Sequence, residues 1–322
     1  MSNLAALHVR VARKVPEAEG ICSFELVAAE RQALPAFSAG SHIDVHLPGG
    51  LTRQYSLCND PKESHRYVIA VLNEPASRGG SRAMHETVNE GHLLQISSPR
   101  NHFPLAHEAR HSVFMAGGIG ITPLLCMAER LTAAGASFEL HYACRTPARA
   151  AFRQRIESSS FASRAHFHFD DGVPDQRLDV PALLAREREG MHLYVCGPKG
   201  FMDAVLGHAR AAGWAPEQLH YEFFTAEPTA TDADGAFEVQ LASSGRVIGV
   251  KAQQTVVQAL AEADVMVPVS CEQGVCGTCL TRVISGVPDH RDMFLTQEEH
   301  AANDQFMPCC SRAKSARLVL DL

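Results

Sequence analysis

Cys271-Glu-Gln-Gly-Val-Cys276-Gly-Thr-Cys279 is the stretch from which this 322-residue chain is best read. Three cysteines spaced C-x4-C-x2-C are followed, after 29 residues, by Cys309. That is the plant-type ligand spacing of a [2Fe–2S] cluster. Two irons need four soft anionic ligands, and three of them here come from one tight loop. Gly274 and Gly277 give the loop backbone freedom and let amide N–H groups approach the sulfides. A structural zinc site is the competing reading, but zinc sites favour paired short spacings such as C-x2-C twice. Cys309 is preferred to its neighbour Cys310 on spacing alone. A cluster of this kind carries one electron and breaks no bonds by itself, so the rest of the chain must say where the electron comes from.

Outward from the loop, the flanking residues read as a small α+β unit. Phe237–Leu241 and Val247–Val250 are strands about the turn Ser243-Ser244-Gly245, and Val256 to Ala263 is a helix capped by Thr255. Leu280–Ile284, a helical turn near Thr296–His300 and a last strand Arg317–Leu320 follow. One sheet crossed by a helix, with a cysteine loop at its edge, is the ferredoxin layout. Before it, residues 226–236 are small, polar and Pro/Gly-containing, which reads as a linker.

Residues 107–225 alternate strands with helices, which implies a parallel sheet with ligand at the carboxyl ends of its strands. The apolar strand Ser112–Ala116 runs into Gly117-Gly118-Ile119-Gly120-Ile121-Thr122-Pro123 and then a helix to about Ala133. A pyrophosphate can lie against the N–H groups of such a turn. The spacing is G-G-x-G rather than G-x-G-x-x-G, and a tight turn packed on its neighbour is the alternative. Cys196-Gly197-Pro198 ends another strand at the same sheet edge, before a helix over Met202–Ala212. Asp170 and Asp171 are ribose acceptors or a solvated turn. His166 and His168 share one face of a strand, read as a polar outer face rather than a metal pair. Arg145 is either a partner for a 2′-phosphate or a salt-bridged loop residue.

Residues 1–106 read as short strands between turn signals, an antiparallel barrel. Arg53-Gln54-Tyr55-Ser56-Leu57 puts Arg53 and Tyr55 on one strand face and Gln54 and Ser56 on the other. That combination suits a phosphate beside a flat ring, although for the motif in isolation a surface strand with a salt bridge is the favoured reading. Ser77-Arg78-Gly79-Gly80-Ser81-Arg82 opens a helix through Met84–Val88, an anion-binding pattern.

The totals bound the partners. A formal charge of −7 and no run of Lys or Arg argue against nucleic acid. No apolar stretch reaches the ~18 residues of a transmembrane helix, so no membrane is expected. Ten cysteines without an export signal point to a reducing, cytoplasmic setting.

Taken together, Arg53-Gln-Tyr-Ser-Leu57, Arg78-Gly-Gly-Ser81, Pro99-Arg-Asn101, Gly117-Gly-Ile-Gly-Ile-Thr-Pro123, Cys196-Gly-Pro198, the cysteine loop and Cys309-Cys-Ser-Arg-Ala-Lys-Ser315 resemble the phthalate dioxygenase reductase family. The resemblance spans nearly the whole chain. It implies a flavin-binding antiparallel β-barrel at 1–106, an α/β parallel-sheet NAD domain at 107–225, and a β-grasp plant-type ferredoxin at 237–322. It implies that Arg53, Tyr55 and Ser56 hold the flavin, with Gly80 and Ser81 at its phosphate. Phe224 would shield the ring (Phe223 lies beside it), and Thr122 and Cys196 would flank the nicotinamide. Gly117, Gly118, Gly120, Gly197 and Pro198 complete the nucleotide site. The family implies FMN, which residue chemistry alone does not separate from FAD, and NADH. The implied route is hydride from NADH to flavin, then single electrons through the cluster to a separate Rieske-type oxygenase, with no general acid or base assigned. The partner is expected to be an aromatic O-demethylase. A phthalate-type dioxygenase or carnitine-type monooxygenase is the alternative, and a flavin/iron–sulfur sensor without turnover is the alternative of another class.

Overall fold

The computed structural model describes residues 6–30, 33–47, 50–75, 79–186, 189–224 and 234–322. The chain forms two compact units, Met1–Glu222 and Phe223–Leu322.

The first unit begins with strands β1 (Leu7–Ala18), β2 (Ile21–Ala28), β3 (Ser41–His46), β4 (Thr52–Ser56) and β5 (Tyr67–Leu72). Helix α1 (Gly80–Glu86) and strands β6 (Leu93–Ile96) and β7 (Arg100–Asn101) complete it. Neighbours run β4-β3-β6-β1-β2-β5, all antiparallel, with β7 on β3. A bridge between Leu57 and Ile69 joins the two ends of that path, so the sheet closes on itself as the strand-rich sequence predicts. Alternation fills the interior with Val9, Val11, Phe24, Leu26, Ile43, Val45, Ile69 and Ile96, every one of them fully buried. Closure also removes the exposed edge that an open sheet would present.

The period then changes. Strands β8 (His111–Gly117), β9 (Phe138–Cys144), β10 (Ala165–Phe169), β11 (Met191–Cys196) and β12 (Leu219–Glu222) form a parallel sheet in the order β10-β9-β8-β11-β12. Helices α2 (Ile121–Ala133), α3 (Arg153–Glu157), α4 (Val180–Leu184) and α5 (Lys199–Ala211) supply connections. The order reverses between β8 and β11, and both strands end in the glycine-containing turns singled out from sequence. A reversal of this kind leaves a crevice at the carboxyl ends of the strands.

In the second unit, β13 (Phe237–Leu241), β14 (Val247–Val250), α6 (Val256–Glu262), β15 (Thr281–Ser285), β16 (Pro288–Asp289), α7 (Gln297–Ala302), β17 (Gln305–Phe306), β18 (Arg312–Ala313) and β19 (Arg317–Leu320) follow. The main sheet runs β14-β13-β19-β15-β17, with β13 and β19 parallel. Helix α6 lays Val256, Ala259 and Leu260 against Val239, Val250, Leu318 and Leu320. Its start is a capping box: the Thr255 hydroxyl accepts the Gln258 N–H, and the Gln258 side chain returns the bond. Most of the linker read from sequence lies outside the described residues. Asp234 near its end is anchored, pairing with Arg291 and with the buried Arg312.

Candidate functional site

Each unit carries one concentration of the residues singled out from sequence. In the first unit, β3 and β4 place His42 opposite Ser56 and Asp44 opposite Gln54. The Gln54 amide donates to Asp44 Oδ1 at 3.0 Å, and Arg100 closes the other side of the same carboxylate. Tyr55 packs toward the barrel core, and burial pushes its phenol well up. The Arg53 stem lies against Gly80, where a Cβ would come within 2.5 Å of its side-chain atoms. Arg53 and the start of α1 are therefore brought together. Ser81 accepts the Glu74 N–H at 3.2 Å. Ser77 and Arg78 lie outside the described residues.

At the carboxyl ends of the parallel strands, Cys196 on β11 and Glu222 on β12 are register partners. The Ser56 hydroxyl donates to Glu222 Oε2 at 3.3 Å, and His42 Nδ1 stands 3.9 Å from Oε1. One hydroxyl, one imidazole, one carboxyl and one thiol thus meet where the barrel adjoins the parallel sheet. Burial pushes the Glu222 carboxyl up to about 7, against the opposing effect of the Ser56 hydroxyl. Burial, then the Arg100 charge, lowers His42 to about 4, and burial holds the Cys196 thiol well above its usual range. Near neutrality this corner has a neutral imidazole, a thiol and a carboxyl whose ionisation burial opposes.

The glycines divide into two kinds. A Cβ on Gly120 would sit 2.1 Å from the Cys196 carbonyl oxygen, and one on Gly197 would sit 2.9 Å from the Gly117 Cα. A Cβ on Gly117 would meet the Phe201 ring at 2.8 Å. Gly120 and Gly197 let two strand-end turns pack backbone against backbone, and Gly117 makes room for the Phe201 ring. Gly118, at φ +53°, faces open space. The buried Thr122 turns its hydroxyl back to the Ile119 carbonyl at 3.0 Å, locking that turn. Pro198 opens α5. Arg145, Asp170 and Asp171 are exposed beside each other, with the Asp170 and Asp171 N–H groups donating to the Cys144 and Arg145 carbonyls. His166 and His168 face the same side as His141, which stacks on both.

In the second unit, Cys271, Cys276, Cys279 and Cys309 are all buried. The Cys271 and Cys276 sulfurs are in contact, and so are those of Cys279 and Cys309. Two pairs of thiols suit two irons with two thiolates each. The contact with Cys271, with help from the Thr278 hydroxyl, draws the Cys276 thiol down from its usual range. The N–H of Gln273 points at the Cys271 sulfur at 3.4 Å, and that of Thr278 at the Cys276 sulfur at 3.5 Å. The loop turns through positive φ at Glu272, Gly274 and Gly277. The donor set therefore fits a cluster. Cys310 is buried at the same edge: its thiol touches the Cys309 sulfur, donates to the Met307 carbonyl at 3.7 Å and lies over the space a Gly274 Cβ would fill. Phe223 and Phe224 open this unit directly after Glu222, both half-buried.

Two family models match: an oxidoreductase NAD-binding domain over residues 114–206, and a 2Fe-2S iron-sulfur cluster binding domain over 239–314. A vanillate O-demethylase oxidoreductase of Pseudomonas sp. (strain HR199 / DSM 7063) is 57% identical over 305 residues, covering 95% of this chain and 96% of that protein. Phthalate dioxygenase reductase of Burkholderia cepacia is 41% identical over 320 residues, 98% of this chain and 97% of that one. The chain belongs to the phthalate dioxygenase reductase family. A solved phthalate dioxygenase reductase, a modular structure for electron transfer from pyridine nucleotides to [2Fe–2S], matches with a TM-score of 0.80 over 99% of this chain and 98% of its own. The chain is accordingly an oxidoreductase with an NAD-binding domain and a 2Fe-2S cluster-binding domain, and the zinc and sensor readings fall away.

Sequence reasoning missed Glu222, His42 and the Asp44–Arg100 pair. Strand β12 was not read as a strand, although a carboxylate at the carboxyl end of a parallel strand is a signal available in the sequence.

Proposed function

We propose that this chain is the reductase subunit for a separate Rieske-type oxygenase that O-demethylates an aromatic acid of the vanillate type, with NADH as reductant and FMN as flavin. The observation that carries the substrate class is the identity of 57% to a vanillate O-demethylase oxidoreductase, against 41% to a phthalate dioxygenase reductase, each over nearly the full length of both chains.

In this reading Cys271, Cys276, Cys279 and Cys309 hold the cluster. Arg53, Tyr55 and Ser56 hold the flavin, with Gly80 and Ser81 at its phosphate end. Thr122 and Cys196 flank the nicotinamide, with Gly117, Gly118, Gly120, Gly197 and Pro198 shaping the nucleotide site and Phe224 shielding the flavin. The flavin, when bound, accepts a hydride and releases electrons one at a time. The chain's own residues position the two rings and exclude water. Glu222 and Ser56 hold a proton beside Cys196, supported by their 3.3 Å contact and by the raised carboxyl. Ten free cysteines support a reducing compartment, and among the described residues no helix is long and apolar enough to cross a membrane.

The test pairs the purified reductase with oxygenase components and supplies NADH. Formaldehyde release from vanillate is expected with a vanillate-type oxygenase. Equal or faster support of phthalate oxidation would reject the substrate assignment and leave the electron route intact.

A further inference from the structure

Behind the cysteine loop lies a group that no reading above uses. His290, Asp292 and His300 bring their donor and acceptor atoms within 4.8 Å of one another. Asp292 is completely buried. Its Oδ2 accepts the Leu295 N–H at 2.9 Å, the Phe294 N–H at 3.3 Å and His300 Nε2 at 3.2 Å. Its Oδ1 accepts the Ser311 hydroxyl at 3.3 Å and faces His290 Nδ1 at 3.7 Å. The two imidazoles stack, 4.4 Å between centroids. The His290 side chain is only 7% exposed, with the Asn303 side chain a further polar neighbour and no hydrogen bond of full geometry at either ring nitrogen. His300 is 29% exposed and reaches solvent.

This group is tied to both segments that carry the cluster cysteines. The Met293 N–H, next to Asp292, donates to the Gly274 carbonyl inside the loop at 3.0 Å. Ser311 follows Cys309 and Cys310 directly. The surrounding charges are few: Lys314 faces His290, Arg291 is engaged by Asp234 and Asp289, and Glu299 is occupied capping α7 through the Thr296 N–H. A divalent ion would have to displace donors from an oxygen that already accepts three hydrogen bonds. A proton on one imidazole displaces nothing and completes the pair with the buried carboxylate.

We propose that His290 and His300, held against Asp292, form the proton-binding site that couples reduction of the cluster to proton uptake. For each electron delivered from NADH by way of the flavin, one proton enters from water at His300 and is held on the imidazole pair. It returns to water when the electron passes to the oxygenase. Added negative charge in the adjacent loop favours the protonated imidazole, and a proton held there favours the added electron. These are two statements of the same linkage. The sign follows. At low pH the pair is protonated in both redox states and the midpoint potential is flat. As pH rises through the titration range the potential falls, so the reductase becomes the stronger donor. The inference rests on the cluster lying in the Cys271–Cys279 loop.

The test is a redox titration of the full-length holoprotein at a series of pH values, with the reduced cluster followed by its electron paramagnetic resonance. The expected slope approaches a tenfold change in the reduction equilibrium per pH unit, about 59 mV for one electron. It flattens in His290→Gln/His300→Gln, and already weakens in His300→Gln, a partly exposed position that spares the buried ring. A wild-type potential independent of pH overturns the proposal, as does a slope that survives in both variants. Stoichiometric zinc or another second metal lost in these variants overturns it in favour of a metal site. Failure to find two irons and the reduced-cluster signal would instead reject the cluster placement, a result distinct from a flat slope.

Discussion

Replacing Glu222 with glutamine removes a carboxyl whose ionisation the fold opposes. The side chain is 16% exposed, and burial moves its titration from the usual carboxylate range to about 7. A raised carboxyl binds its proton more tightly in the folded than in the unfolded state. Its protonated form is therefore favoured by folding, and stability falls as pH rises from the unfolded pKa to the folded one. With a shift of about 2.5 units at 1.36 kcal/mol each, the cost is about 1 kcal/mol at about pH 5 and about 3 kcal/mol at about pH 8.5. Glutamine keeps an oxygen for the Ser56 hydroxyl and carries no charge at any pH. Glu222→Gln is thus expected to be nearly neutral in acid and progressively more stable than wild type in base. Urea unfolding of both proteins, followed by flavin release and circular dichroism at these two pH values, measures the difference. A stability gap that does not change between them would refute the claim that this carboxyl titrates near neutrality. If the same carboxyl holds a proton for the hydride step, the variant's NADH oxidation should lose its pH dependence over this range.

Two further substitutions test the assigned sites. Gly120→Ala, at an ordinary helical φ, drives a methyl to 2.1 Å from the Cys196 carbonyl, where both sides are backbone and neither can yield. A loss of about 1–3 kcal/mol and a raised KM for NADH are expected from thermal unfolding and steady-state kinetics. Cys309→Ser should lose most of its iron and visible cluster absorbance, whereas Cys310→Ser should keep both. The reverse pattern would exchange the two residues as ligands.

The strand order of the barrel shows why some of this was readable in advance. Alternating apolar residues at Val9, Val11, Phe24 and Leu26 predict strands and their inward faces, because side-chain direction has a period of two along any strand. The turn at Gly117–Thr122 announces a strand-to-helix change by composition alone. Helix α6 and its Thr255 cap were legible for the same reason, since a capping box is satisfied within four residues. The glycines were ambiguous. Whether a glycine serves a phosphate or a close backbone contact depends on what lies across from it, and for Gly120 that is Cys196, 76 residues away in sequence.

The sequence by itself determined most of the local elements, the fold class and the spacing of the cysteine loop, because these depend on neighbours a few residues apart. Only the tertiary structure joined Ser56 to Glu222 across 166 residues and set His42 against the same carboxyl. It also set Cys309 against Cys279 of the loop, with Cys310 on its other side bonded to the Met307 carbonyl. Identical side chains at adjacent positions are equivalent as letters. They become different only when the backbone brings one of them, here Cys309, against Cys279 of the loop. Burial has the same origin: the carboxyl of Glu222 titrates near 7 because two sheets close around it, and no property of residue 222 alone carries that information.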